Sequence, residues 1–261
     1  MLLALLVPLF LQASEVQNIV KSLLPEQIYF KNSSVIRTLF ASSARYKSGG
    51  SYDFAKIFSA LEQVGIMGEA FGNDRRIDLI FNSESRPFLL VHLSELALDR
   101  GNVYRYGTAA LNFSSQRFAL IYSVTTTQTI SFAKMVQTLR QNGVWIKSVR
   151  YDGNGWRFDL GMAGAHLNLP KVVQSAEFEH VKDALWLDVC GAKSVSVVSL
   201  GRYWHPKVAI YDENLKPLDL YKNYDVMRRL ELALPNGTCY IKISDIFTPK
   251  NIKRGFRVSL E

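Results

Sequence analysis

The sequence predicts an α+β fold: three helix–strand–strand (αββ) units forming one sheet with helices on one face, followed by an all-β, jelly-roll-like sandwich. Three observations carry this. The phrase DFAKIFSALEQVG (53–65) returns as SFAKMVQTLRQNG (131–143), with Phe-Ala-Lys at the same distance from a closing glycine. Gly65, Gly101 and Gly143 punctuate the first half at intervals of 36 and 42 residues, the signature of a repeated supersecondary unit. After about residue 163 the helical period vanishes, and short alternating runs separated by turn residues take over.

The elements follow in order. MLLALLVPLFLQA (1–13) is apolar and too short to span a bilayer as a helix. It reads as a secretory signal peptide with Leu11-Gln12-Ala13 as the cleavage site, although no Lys or Arg precedes it. The alternative is a buried N-terminal helix carrying Pro8. From Ser14, Val16, Ile19, Val20, Leu23 and Leu24 recur at helical spacing until Pro25, and a second helix is expected around Val35, Ile36, Leu39 and Phe40. Residues 42–51 read as a loop.

In the first repeat, Phe54, Ile57, Phe58, Leu61 and Val64 form an apolar stripe capped by Asp53 and closed by Gly65. Strands are expected at 66–71 and 76–81 around the turn Gly72-Asn73-Asp74. The middle unit opens a helix with Ser85 and Pro87 and closes it with Gly101, with strands near 102–113 and 117–125. The last repeat places Phe132, Met135, Val136 and Leu139 on one stripe. Strands at 144–151 and 156–160 follow, joined through Asp152-Gly153-Asn154-Gly155. A hairpin alone is marginal and an amphipathic helix needs a sheet to cover, so the units should combine into one domain over 14–163. Gly161, Gly164 and Pro170 mark a linker. The sandwich, 171–261, is expected from runs at 184–190, 193–200, 207–212, 228–234, 238–244 and 256–260.

Within that second half, WLDVCGAKSVSVVSL, PKVAIYDENLKPL and ALPNGTCYIKISD resemble the strand pairs and late turn of bacterial pre-peptidase C-terminal domains. The resemblance covers about a third of the chain. It implies a small jelly-roll serving as a binding or stabilising appendage, here without the protease that usually precedes it. The whole layout resembles small uncharacterised periplasmic proteins of ε-proteobacteria, and the αββ series is similar to scaffold modules of envelope machines.

Chemistry-bearing motifs are sparse. His92, His166, His180 and His205 form no metal-ligand spacing, and neither a nucleophile elbow nor a phosphate-binding glycine loop is present. No metal or cofactor is expected. The carboxylate pairs Glu177/Glu179 and Asp74/Asp78 read as surface acids rather than a glycosidase pair. Cys190 and Cys239, both in the β-half, permit one disulfide in an exported chain. The formal charge of +8 favours acidic partners, but the cations are spread along the chain.

The densest mixture of aromatic and basic residues is RYWHPK: Arg202, Tyr203, Trp204, His205 and Lys207 form a candidate binding loop. The competing reading makes Trp204 a plug of the sandwich core. Trp145 and Trp156 are expected in the core or as cross-strand partners. The expected function is a non-catalytic periplasmic or secreted interaction or scaffold protein of the cell envelope. Peptidoglycan or glycan binding is the alternative. The expected partners are envelope proteins or an acidic or glycan cell-wall polymer, with neither nucleic acid nor a stable membrane span.

Overall fold

The computed structural model describes residues 7–71, 75–114, 117–126 and 129–261. The chain divides into two compact units, 1–165 and 166–261. It is mixed α+β with a β-sandwich part.

The first unit opens with α1 (Val7–Leu23), which ends before Pro25, then α2 (Glu26–Lys31) and α3 (Ser33–Leu39). A 3-10 turn (Ser43–Tyr46) and a two-residue hairpin, β1 (Lys47–Ser48) and β2 (Ser51–Tyr52), occupy the expected loop. α1 runs through the expected cleavage junction at Ala13; residues 1–6 of the expected signal segment lie outside the described residues. Val16, Val20, Leu23 and Leu24 are buried. The Leu23 carbonyl accepts a hydrogen bond from Trp156 Nε1 (2.9 Å), which satisfies a buried indole and ties α1 to the sheet.

Then follow α4 (Phe54–Gln63), α5 (Ile66–Phe71), β3 (Arg75–Ser83), α6 (Pro87–Arg100), β4 (Tyr106–Ser114), β5 (Arg117–Thr126), α7 (Phe132–Gln141), β6 (Trp145–Tyr151) and β7 (Gly155–Gly161). The five-stranded sheet has the order β4-β5-β3-β7-β6. All pairs are antiparallel except β3 with β7, where the first and last units meet.

The first repeat departs from the expected αββ pattern. Residues 66–71 form helix α5, so that unit contributes only β3. Ile66 and Met67 are both buried, and adjacent burial suits a helix face better than alternation along a strand. The expected turn at 72–74 lies outside the described residues.

Two caps also differ from expectation. Ser85 does not cap α6; Arg86 occupies that position, without a side-chain cap bond. Gly101 has φ −79°, and Asn102 (φ 67°) takes the left-handed position. Gly101 instead allows close packing: a Cβ there would clash with the Met135 side chain.

The repeated phrase has a structural meaning. Asp53 caps α4 by accepting from the N–H groups of Ala55 and Lys56, and Ser131 caps α7 by accepting from that of Lys134. Gly65 (φ 79°) and Gly143 (φ 70°) close the two copies. The helices lie antiparallel and lock each other's ends. Arg140, in the last turn of α7, pairs with Asp53. Glu62, in the last turn of α4, accepts from Ser131 Oγ (3.0 Å) and the Ala133 N–H (2.9 Å). Residues 62 and 140 are equivalent in the repeat, as are 53 and 131. A local two-fold axis therefore relates the copies, with Phe58 and Phe132 in ring contact between them.

The second unit contains β8 (Ser175–Phe178), β9 (Leu185–Asp188), β10 (Ser194–Ser199), β11 (Pro206–Asp212), β12 (Pro217–Lys222), β13 (Arg229–Ala233), β14 (Thr238–Asp245), a 3-10 turn (Pro249–Ile252) and β15 (Phe256–Leu260). One sheet has the order β13-β10-β15-β8 and the other β12-β11-β14-β9. Counted within the unit, these are 6-3-8-1 facing 5-4-7-2, the interleaving of a jelly roll. Val195, Val197, Val208, Ile210, Ile241, Ile243, Phe256 and Val258 fill the space between the sheets. β8 has no counterpart in the expected strands, and β12 is anticipated only by the hairpin resemblance of PKVAIYDENLKPL. β12 is exposed at nearly every position and β8 shows no buried one, so neither shows the apolar alternation of a half-buried strand.

Candidate binding surface at one end of the sandwich

In a jelly roll the β8–β9, β10–β11, β12–β13 and β14–β15 connections gather at one end. Here the last three carry exposed rings: Tyr203 (63% exposed), Tyr224 (68%) and Phe247 (62%), with Val226 beside Tyr224 in sequence. Phe247 meets the His205 ring edge to face at 4.7 Å and the Tyr224 ring at 6.2 Å.

Asp245, at the end of β14, holds two of these loops, those bearing Tyr203 and Phe247. Its side chain is fully buried. Oδ2 accepts from the His205 N–H (2.7 Å). Oδ1 accepts from the N–H groups of Phe247 (2.9 Å) and Thr248 (3.0 Å) and from Asn251 Nδ2 (3.1 Å). Burial pushes its carboxyl upward, but the donors from His205, Thr248, Phe247 and Asn251 outweigh that, and its pKa is lowered. The Ile246 N–H returns to the His205 carbonyl (3.1 Å), the Met227 N–H to that of Trp204 (2.8 Å), and the Asn223 N–H to that of Pro206 (2.9 Å). The loop bearing Tyr203 is thereby fastened to both its neighbours.

The residues of RYWHPK separate by depth. Tyr203, Arg202 and Lys207 are exposed, and His205 is mostly covered. Trp204 is not a stacking platform. It is fully buried, donates Nε1–H to the Ser244 carbonyl (2.9 Å) and meets Phe256 edge to face. Trp145, expected in the core or cross-strand, is 60% exposed, and its cross-strand partner is Gly161. Sequence patterning alone does not mark Phe247, Tyr224 or Asp245. The available signal was an aromatic residue in a turn segment (Asp245-Ile246-Phe247-Thr248-Pro249) that continues no strand alternation.

Cys190 and Cys239 are disulfide-bonded. They join the end of β9 to the start of β14, at the opposite end of the sandwich from the rings. Among the carboxylate pairs, Glu177 binds Arg257 (2.9 Å), Glu179 lies near His180 (3.9 Å), and Asp78 accepts from Ser123 Oγ (2.6 Å). The Asp74 side chain is outside the described residues. Among the described residues there is no group of three or more His, Cys, Asp or Glu able to hold a metal. Among them, too, no helix is long and apolar enough to cross a membrane. No protein-family model and no curated protein matches the chain.

Proposed function

We propose that this is a non-catalytic interaction protein of an exported compartment, periplasmic or secreted, which holds a protein partner of the cell envelope against the ringed end of its sandwich. The observation that carries the reading is the set of exposed rings Tyr203, Tyr224 and Phe247 at one end of the sandwich, on loops tied together by Asp245 and by the backbone bonds of Asn223 and Met227. Exposed aromatic residues on a pre-ordered surface are the usual anchors of protein interfaces. The rings favour a protein over a sugar, because His205–Phe247 and Tyr224–Phe247 cross at 88° and 62° and present edges rather than one flat platform. The disulfide suits an oxidising compartment. The apolar first residues, read as a secretory segment, belong to the same proposal, as does the resemblance to appended pre-peptidase C-terminal modules.

The test is capture from cross-linked envelope extract with tagged protein, wild type beside the double variant Tyr224→Ala/Phe247→Ala. The expected result is a short, reproducible set of proteins that the double variant retains about tenfold less well or worse. An unchanged set, or cell-wall fragments in place of proteins, overturns the reading.

A further inference from the structure

The helices of the first unit cover one face of its sheet, and the other face is open and charged. A cleft of about 440 Å³ lies on it, lined by Arg117, Lys147, Arg150 and Arg157 against Glu84 and Asp159. The acids are already engaged. Glu84 pairs with Lys147 (3.2 Å), and Asp159 accepts from Asn82 Nδ2 (2.8 Å) and Ser148 Oγ (2.6 Å). Arg150 stands directly across from Arg157 in the β6–β7 register. Like charges placed so are destabilising in a sheet unless something offsets them. Arg157 pairs with Asp152 (3.3 Å), whereas Arg150 makes no direct ion pair among the described residues; the charge that offsets it is Asp159, whose carboxyl is raised by burial but brought below its ordinary range by Asn82, Ser148 and the two arginines.

At the end of the same strand stands Trp145. Its ring rests against Gly161: a Cβ there would lie 3.1 Å from Trp145 Cε3 and 3.5 Å from Lys147 Cε. The glycine makes room for an indole that stays 60% exposed beside the cations. Trp145 and Arg150 are about 15 Å apart along β6, so a ligand touching both is an oligomer.

We infer that this open sheet face, with Trp145, Lys147, Arg150 and Arg157, binds a linear acidic glycan. The indole takes the apolar face of one sugar ring, and the guanidinium groups take the carboxylates of its neighbours, which Arg binds with two parallel hydrogen bonds. Nucleic acid would meet the same charge, but the disulfide points to compartments where polysaccharide is the more available polyanion. This site shares no residue with the ringed end of the sandwich and does not rest on the partner reading.

The test is calorimetric titration of the full chain with a uronic-acid hexamer, a neutral glucan hexamer and a single-stranded oligonucleotide of similar charge. The hexuronate should bind, the neutral hexamer at least about tenfold more weakly, and added salt should weaken binding. Trp145→Ala and Arg150→Ala should each lower hexuronate affinity about tenfold or more, whereas Trp145→Tyr, which keeps a stacking ring, should retain it. Tyr224→Ala/Phe247→Ala should leave it unchanged. Absence of hexuronate binding, or binding indifferent to both alanine variants, overturns the inference. Sensitivity to Arg150→Ala without Trp145→Ala also overturns it, leaving a bare anion site. Tighter binding of the oligonucleotide, lost in both variants, would assign the face to nucleic acid instead.

Discussion

Asp245 is the residue on which the ringed end depends. A carboxylate facing three backbone N–H groups and an amide is an acceptor that no neutral side chain replaces fully. Asp245→Asn would turn an NH₂ toward donors, and we expect a loss of about 1–3 kcal/mol of stability in denaturant melts. The pH dependence has a definite sign. The folded pKa is lowered, so the stabilisation is present above the ordinary aspartate range, about 3.9, and is lost as pH falls through the folded value. Wild type should therefore lose stability on acidification more steeply than the Asn variant. The two tryptophans mark what the residue scale conceals from sequence. Trp204, flanked by Arg202, Tyr203 and His205, has surface company yet is buried, because the strand-like bridge to Met227 turns it inward. Trp145, inside a strand, is exposed, because Gly161 opposite offers no side chain to cover it.

At the scale of elements, the antiparallel pair α4 and α7 makes a second pH prediction of opposite sign. Burial raises the Glu62 carboxyl, and the donors Ala133, Ser131 and Phe132 only partly offset it. The folded state thus holds its proton to higher pH than the unfolded chain. That contribution is present below the ordinary glutamate range, about 4.3, and is lost as pH rises through the folded value. Glu62→Gln keeps an acceptor oxygen and should remove this segment of the pH–Tm curve, read by thermal melts. The helices were legible because their stripes and caps are local: Asp53, Ser131, Gly65 and Gly143 do what their residue types suggest. α5 reads as a strand in the sequence because Ile66-Met67 is a short apolar run in which periodicity cannot separate strand from helix. The sheet order was not legible, since the parallel β3–β7 pair joins segments about 75 residues apart. Nor was the open-face cleft, whose cations come from β5, β6 and β7.

The whole molecule has two cores, and the disulfide belongs to one of them. Closing about 50 residues between Cys190 and Cys239 should contribute about 2–4 kcal/mol to the sandwich. Calorimetry under reducing conditions, or on Cys190→Ser/Cys239→Ser, should lower the transition of the sandwich and leave that of the α+β unit in place. A uniform shift of both would show that the units unfold together. The jelly-roll order has one further effect. β8 and β15, the first and last strands of the sandwich, are neighbours, with Ser175 opposite Ser259, so the polypeptide enters and leaves at the disulfide end. Tension applied between the linker and the C-terminus would pull these two strands apart from one end, like a zipper, and would reach the distant ringed loops last. A partner gripped there would stay attached while the far end of the sandwich began to yield.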